Sequence, residues 1–222
     1  METEIYYIGG SPCSGKTTFA RYLAAKTGMY HLELDDLLGK YALLGSQKGW
    51  SACQRQWAGT PDEIWLREPG EQCRQEIDFY REIFPLIQDD LSQLERDRKI
   101  TLFAEQSLEI PAAHLERGMI LEGAALLPEL MQAAGISRRR YICMTAVKEF
   151  QIRHYRKRDW AMQMLQGCSD QEQAFANWME RDVLFAEKIR EQCQVFDYRF
   201  WTADGTQTLE ELEAWIREDR ND

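Results

Sequence analysis

The chain has 222 residues, of which 44% are hydrophobic and 29% are charged, which is typical of one soluble globular domain with a full core. Its formal net charge of −10 disfavours nucleic acids and anionic membranes as partners. No segment approaches roughly eighteen uninterrupted apolar residues, and no basic stretch precedes an apolar run at the N-terminus. We therefore predict neither a membrane span nor a signal peptide.

Cysteine and histidine usage indicates a reducing compartment. The six cysteines include no C-x-x-C pair, and the three histidines stand far apart in the sequence. A disulfide framework or a zinc site is therefore not expected, and a cytoplasmic location suits the chain.

The first part of the chain alternates strand and helix patterns. Residues 5–8 form a short β-branched and aromatic run, and residues 16–26 have helical apolar spacing that ends before Gly28. The stretch "YHLELDD" reads as a second strand that ends in two aspartates. Residues 37–97 then change in character, and we interpret them as a helical insertion.

The second half of the insertion carries an amphipathic helix pattern over residues 71–94, where Pro85 predicts a kink or a break. Strands are predicted in "ITLFA", "GMILEG", "RRRYICMTA" and "FDYRFW". Helices are predicted at 147–165, at 170–194 and in "TLEELEAWI". Strands that alternate with helices indicate an α/β fold with a mostly parallel sheet.

The segment between the first strand and the first helix satisfies the pattern G-x-x-x-x-G-K-[ST] in the strand–turn–helix context that this motif requires. Glycines let the backbone wrap closely around an anion, and the helix N-terminus favours negative charge. Lys16 is expected to reach the β- and γ-phosphates of a nucleotide, and the Thr17 hydroxyl is expected to bind Mg²⁺. The predicted nucleotide-binding residues are Gly10, Ser11, Cys13, Ser14, Gly15, Lys16, Thr17 and Thr18.

These residues resemble the P-loop nucleoside-phosphate and small-molecule kinases, the group that includes adenylate, shikimate and gluconate kinases. The resemblance covers most of the chain in the order of its elements. It implies a three-layer fold, with a parallel five-stranded sheet flanked by helices, and a reaction that uses ATP and Mg²⁺.

The motif "GMILEG" is similar to the third core strand of that group, which ends in an acidic residue followed by glycine. The resemblance places Glu122 beside the phosphate turn, where it would act on Mg²⁺ through water. The group more often has aspartate at this position. The continuation "EGAALLP" is also similar to kinases of the 2-phosphoglycerate type.

Asp35 and Asp36 follow the second strand, where members of the group often place a carboxylate that binds or deprotonates the acceptor. We assign this role to Asp35 before Asp36. The alternative is that both aspartates cap the helix that follows.

Eight basic residues and one acidic residue lie between Arg138 and Arg158, in a chain that is acidic overall. In the resembled kinases a lid after the fourth strand brings arginines to the transferred phosphoryl group. A lid-like segment at 147–170 would supply Arg156 and Arg158, and Arg153 less directly. The alternative is a solvated basic helix face. Arg181 is interpreted as either a phosphate contact or, preferably, the partner of Asp182.

The insertion would hold the acceptor, since the resembled kinases bind it there. Its tryptophans and arginines could stack on a base or bind an anion, or they could simply pack a helical subdomain.

The predicted function is transfer of the γ-phosphoryl group of ATP to a hydroxyl or phosphate of a small molecule, with Lys16, Asp35, Arg156 and Arg158 as catalytic residues and Thr17 and Glu122 at the metal. The alternative is a nucleotide-dependent regulatory switch that acts on a protein partner. No N-K-x-D sequence indicates guanine binding.

Overall fold

The structure, a computed structural model, describes residues 3–102 and 106–218. The strands in these ranges are β1 (Ile5–Gly10), β2 (Tyr30–Glu33), β3 (Lys99–Thr101), β4 (Ser107–Glu109), β5 (Met119–Glu122), β6 (Tyr141–Ala146) and β7 (Phe200–Ala203). The helices are α1 (Lys16–Thr27), α2 (Leu38–Gln47), α3 (Ser51–Ala58), α4 (Pro61–Trp65), α5 (Pro69–Asp97), α6 (Ala112–Leu115), α7 (Pro128–Ala133), α8 (Lys148–Tyr155), α9 (Asp159–Gln163), α10 (Gln171–Phe196) and α11 (Leu209–Glu218). Within the described ranges, no helix has both the length and the apolar composition that crossing a membrane demands.

Five strands form the main sheet in the order β2-β5-β1-β6-β7, and every neighbouring pair is parallel. The predicted α/β fold with a parallel five-stranded sheet is therefore confirmed. Since the strands are parallel, the carboxyl ends of β1, β2 and β5 lie at one edge of the sheet. Gly10, Glu33 and Glu122 are the last residues of these three strands.

Both faces of the sheet are buried, which makes the fold three-layered. Along β5, Met119 and Leu121 pack into a core formed with α5, α7 and α10, whereas Ile120 packs into a second core with α1 and α11. This alternation follows from the two-residue repeat of a strand. It leaves β5 without a solvent-facing side, as expected for a central parallel strand.

The predicted strand at 100–104 is confirmed only in part. Residues 99–101 form β3, which pairs antiparallel with β4 outside the main sheet. Phe103 and Ala104 lie outside the described residues.

The segment 37–97 is helical, as predicted. Of the kink or break expected at Pro85, the break into two helices is wrong, because α5 continues through this residue to Asp97. Pro85 is exposed, so the carbonyl group that loses its helical hydrogen bond is on the water-facing side. Phe84 and Leu86 on either side of it are buried in the main core. Burial of these flanking residues keeps the helix continuous through Pro85.

The single helix predicted over residues 147–165 is also wrong, because the chain divides there into α8 and α9. Arg158 has an extended backbone (φ −101°, ψ 107°) and separates the two helices. Tyr155 from α8 and Ala161 from α9 are both buried in the same small cluster. A turn between them is what allows both helices to face that cluster.

Candidate functional site

The phosphate turn runs from the end of β1 to the start of α1, as the sequence motif predicts. Gly10 has φ +132° and lies so close to the Met144 carbonyl group that a Cβ atom there would overlap it. Gly15 has φ +88° and occupies the N-cap position of α1. The Ser11 amide donates a hydrogen bond of 2.8 Å to the Met144 carbonyl oxygen, which ties the turn to β6. Both glycines are therefore needed for the shape of the turn.

Lys16 extends back across this turn. Its side chain is buried, and Nζ donates a hydrogen bond of 2.8 Å to the carbonyl oxygen of Ser11. The hydroxyl groups of Ser11 and Ser14 are also buried and have no hydrogen-bond partner among the described residues. A buried hydroxyl without a partner is costly, and phosphate oxygens would accept hydrogen bonds from both. The turn thus fits a nucleotide phosphate.

The remaining predicted members of the turn lie at its surface. Cys13 is partly buried with φ +56°, and Thr18 is exposed in the first turn of α1. Burial raises the pKa of the Cys13 thiol to about 11, although the charges of Arg158 and Lys16 oppose this rise. The thiol therefore stays protonated at neutral pH.

Thr17 joins the turn to two carboxylates at the ends of β2 and β5. Its hydroxyl group donates to Glu122 Oε1 at 2.7 Å and lies 3.4 Å from Glu33 Oε1. Thr17 and Glu122, the two residues predicted at the metal, are therefore in direct contact. Sequence reasoning missed Glu33, and it also missed His31, whose Nε2 lies 3.7 Å from Glu122 Oε1. The signal was the spacing of His31 and Glu33, which places both on one face of β2.

Glu122 is fully buried, and its environment holds it in the charged form. Burial raises the pKa of this carboxyl group, but His31, the Lys16 ammonium and the Thr17 hydroxyl outweigh burial and lower the pKa below its ordinary value. A charged, buried carboxylate beside a phosphate turn is suited to binding a cation.

Asp35 lies in the 3₁₀ turn at Leu34–Leu37 that follows β2, and its Oδ1 accepts a hydrogen bond of 3.4 Å from the Ala124 amide. The side chain is exposed, yet loss of hydration to the surrounding protein raises the pKa of its carboxyl group against the opposing charge of Lys16. Neither Asp35 nor Asp36 caps a helix, since the N-cap residues here are Glu33 and Leu37. The capping alternative is therefore wrong.

The basic stretch between Arg138 and Arg158 is divided between opposite ends of the sheet, because β6 runs through it. Arg138, Arg139 and Arg140 precede β6 and line a cavity of about 170 Å³ at the amino end of the strands. The arginines of α8 and the turn after it follow the carboxyl end of β6, on the side of the phosphate turn. Three of the eight basic residues thus lie at the end of the sheet opposite the candidate site.

Among the arginines of the predicted lid-like segment, Arg158 lies near the phosphate turn, where its charge acts on Cys13. Its guanidinium group lies over the rings of Tyr155 and Trp160, at 5.6 and 5.5 Å from their centroids. Arg156 instead lines a cavity of about 670 Å³ between α8, α9 and α10, and no residue of the phosphate turn lines that cavity. Arg153 lies over the ring of Phe150.

An aromatic cluster joins the lid-like segment to the insertion, and we call it the aromatic junction. Its members are Trp65 of α4, Tyr155 of α8, Trp160 of α9 and Trp178 of α10. The ring centroids of Trp65 and Trp178 are 4.7 Å apart, and those of Tyr155 and Trp178 are 4.8 Å apart. Cys13 of the phosphate turn packs against the same cluster. Helix α4, the segment 147–170 and the phosphate turn therefore meet at one place.

Arg181 lies beside the aromatic junction and is paired with carboxylates. Its guanidinium group is 2.6 Å from Asp182 Oδ1 and 3.1 Å from Glu76 Oε2, and it lies over the Trp65 ring. Burial raises the pKa of Asp182 to about 6 despite the neighbouring Arg181. These contacts favour the structural interpretation of Arg181 over the phosphate contact.

The comparisons with known proteins concern the fold. No protein-family model matches the chain, and no curated protein matches it in sequence. The solved structure of TT1252 from Thermus thermophilus is 18% identical, with a TM-score of 0.48 and coverage of 100% of this chain and 98% of that one. Shikimate kinase from Bacteroides thetaiotaomicron is 13% identical, with a TM-score of 0.47 and coverage of 98% and 97%. The fold assignment rests on the chain's own parallel sheet and phosphate turn.

Proposed function

We propose that the chain is an ATP-dependent phosphotransferase that acts on a hydroxyl or phosphate group of a small molecule. The observation that carries this proposal is the phosphate turn itself. A buried Lys16 ammonium spans the turn, two buried serine hydroxyls lack partners, and Thr17 contacts a charged Glu122. These are the donors and the carboxylate that nucleotide phosphates and a divalent ion require.

The residues of the turn would bind and orient the phosphates. The Ser11 and Ser14 hydroxyls and the amides of the turn would donate to phosphate oxygens, while Lys16 would exchange its hydrogen bond with Ser11 for one to the β- and γ-phosphates. Thr17 and Glu122 would hold Mg²⁺, which supplies neutralisation of phosphate charge when it is bound. Gly15, at the positive end of α1, would strengthen the same attraction.

Asp35 would accept the proton of the acceptor. In the proposed step the acceptor oxygen forms a bond to the γ-phosphorus, the bond from that phosphorus to the bridging oxygen breaks, and ADP leaves. The acceptor proton passes to Asp35 and then to solvent. The raised pKa of Asp35 suits this role, because a stronger base accepts a proton more readily.

Arg158 would stabilise charge on the transferred group when the lid-like segment at 147–170 closes, since it already lies near the phosphate turn. Arg156 would reach the same group only if α8 and α9 move, because it faces the cavity beside α10. The insertion at 37–97 is proposed to hold the acceptor. A groove of about 580 Å³ there is lined by Arg55 and Arg67 and also by Glu63 and Glu71, so it offers groups of both charges to an acceptor.

A metabolite screen tests this proposal. The protein is heated with Mg²⁺, a non-hydrolysable ATP analogue and each compound in turn, and hits are then assayed for ADP formation from ATP. An acceptor at about 100 times its Kd stabilises the fold by about 2.7 kcal/mol. For a chain of this size that raises Tm by about 5–10 °C. A hit that also accelerates ADP formation supports the kinase; acceleration only by a protein partner would support the switch.

A further inference from the structure

Three potential metal ligands face each other across the end of β2 and β5. In the parallel register Glu33 pairs with Glu122, so their side chains lie next to each other at the carboxyl edge of the sheet. His31 is two residues before Glu33 and therefore shares its face of β2. The register of these two strands thus brings one imidazole and two carboxylates together.

The distances and burial fit a small cation. One ligand atom from each of His31, Glu33 and Glu122 lies within 4.8 Å of the other two. Glu122 is completely buried, and its Oε2 has no hydrogen-bond partner in the part of the chain that the structure describes. His31 Nε2 also lacks a partner there, and its side chain is only 13% exposed. One enclosed carboxylate oxygen and one enclosed imidazole nitrogen therefore have no hydrogen-bond partner, and both atom types bind cations.

The nearby positive groups leave two atoms of this cluster, Glu122 Oε2 and His31 Nε2, without a hydrogen bond. Arg21 pairs with Glu33 through Oε2 at 3.1 Å, but it does so from the surface, where its side chain is 69% exposed. Lys16 donates to the Ser11 carbonyl rather than to either glutamate. A single hydroxyl, that of Thr17, is therefore shared between the two glutamates. A divalent ion would neutralise both carboxylates and occupy the free atoms of Glu122 and His31.

We propose that His31, Glu33 and Glu122 bind a divalent first-row transition-metal ion directly, and that they do so without nucleotide. Imidazole nitrogen is a better ligand for these ions than for Mg²⁺, which prefers oxygen. The site shares Glu122 with the proposed Mg²⁺ position, yet it needs neither ATP nor an acceptor. The tests are therefore independent: kinase activity can be absent while the metal site is present, and kinase activity can be present while the metal site is absent.

Mn²⁺ alone, without nucleotide, is the probe. We expect the wild-type protein to bind one Mn²⁺ and to show ¹⁴N modulation from a coordinated imidazole in pulsed electron paramagnetic resonance. His31→Ala should remove the ¹⁴N signal and weaken Mn²⁺ binding at least 10-fold, in line with losses at metal sites. The chain has only three histidines, so the ¹⁴N signal is readily assigned to one of them. His114→Ala is the matched control, because His114 is exposed on α6 and should leave both measurements unchanged.

Mn²⁺ binding and ¹⁴N modulation of the wild-type protein test the proposal even if His31→Ala does not fold. His31→Gln provides a second variant of similar size. Most protein sites for divalent ions have dissociation constants below about 1 mM. If the protein binds no Mn²⁺ at about 1 mM, the proposal is overturned. Binding without ¹⁴N modulation, or equal affinity in folded His31→Gln, would show that oxygen ligands alone hold the ion and would overturn it as well.

Discussion

Arg181 is a buried cation whose two carboxylate partners come from different helices. Glu76 belongs to α5, whereas Asp182 follows Arg181 directly on α10. The Arg181–Glu76 pair therefore connects the insertion to the long helix that follows the lid-like segment. Tyr80 donates to the second oxygen of Glu76, which extends the network. Such a network is strongly coupled, since removing one member leaves the others buried and charged.

Arg181→Ala should therefore lower the free energy of unfolding by about 3–5 kcal/mol, the loss expected when one partner of a buried ion pair is removed. Lys188→Ala is the control on the same helix. Lys188 pairs with Glu191 at the surface, and its loss should change stability by less than about 1 kcal/mol. Urea unfolding followed by circular dichroism measures both. Equal stability of the two variants would contradict the structural role of Arg181.

Asp35 should impose an acidic limb on the pH profile of kcat/KM for the acceptor. A general base acts when deprotonated, so activity falls as pH drops through the pKa of Asp35. Because this pKa is raised, the limb should lie above the ordinary aspartate value of about 3.9. Asp35→Asn should reduce turnover by about 10²–10⁴-fold and remove the limb.

Asp36→Asn is the matched control for Asp35, as it changes the exposed neighbouring aspartate in the same turn. It should keep both the rate and the acidic limb of the wild type. Retention of the limb in Asp35→Asn would show that another group acts as the base.

At the scale of elements, α4 of the insertion and the turn after α9 are in direct contact. Asp62 Oδ1 accepts a hydrogen bond of 2.7 Å from the Ser169 amide, and Trp65 packs on Trp178 in the aromatic junction. Asn177 of α10 donates to the carbonyl oxygens of Trp65 and Arg67. The position of the lid-like segment is therefore coupled to that of the insertion.

Trp65→Ala should destabilise the protein by about 3–5 kcal/mol, because it empties a large buried site. It should also speed amide hydrogen exchange in α8 and α9, which pack on the aromatic junction. Trp57→Ala serves as the control in the same insertion; Trp57 is 50% exposed and should change stability by no more than about 0.5 kcal/mol. If amide hydrogen exchange in α8 and α9 is unchanged in Trp65→Ala, the aromatic junction does not stabilise the lid-like segment.

Sequence patterns predicted most elements but not how they end or meet. Local spacing identified β1, α1 and β5, since apolar periodicity directly reflects burial. It failed at Pro85 and between α8 and α9, where packing against distant residues decides the outcome. Whether a helix is interrupted depends on which of its faces is exposed to water. Tertiary packing decides this exposure, and a short window of sequence does not reveal it.

At the scale of the molecule, the site assembles from three strands that are far apart in sequence. The motif predicted Lys16 and Thr17, and the resemblance indicated Asp35 and Glu122. The partnership of Glu33 and His31 with Glu122 depends on the order β2-β5-β1, which local patterns do not specify. The basic excess was misleading for the same reason, because β6 separates three of its basic residues from the other five.

Following the γ-phosphoryl group of ATP tests directly whether the chain is a small-molecule kinase. The protein is incubated with Mg²⁺, ATP labelled with ³²P at the γ-position, and a pool of small metabolites, and the products are separated. We predict that the label moves to a small organic molecule, and that Lys16→Ala lowers this transfer by about 10²–10³-fold, as expected for loss of a charge-stabilising donor. Lys188→Ala should transfer the label normally. Label found only in inorganic phosphate, at a rate that no metabolite increases, would contradict the assignment as a small-molecule kinase.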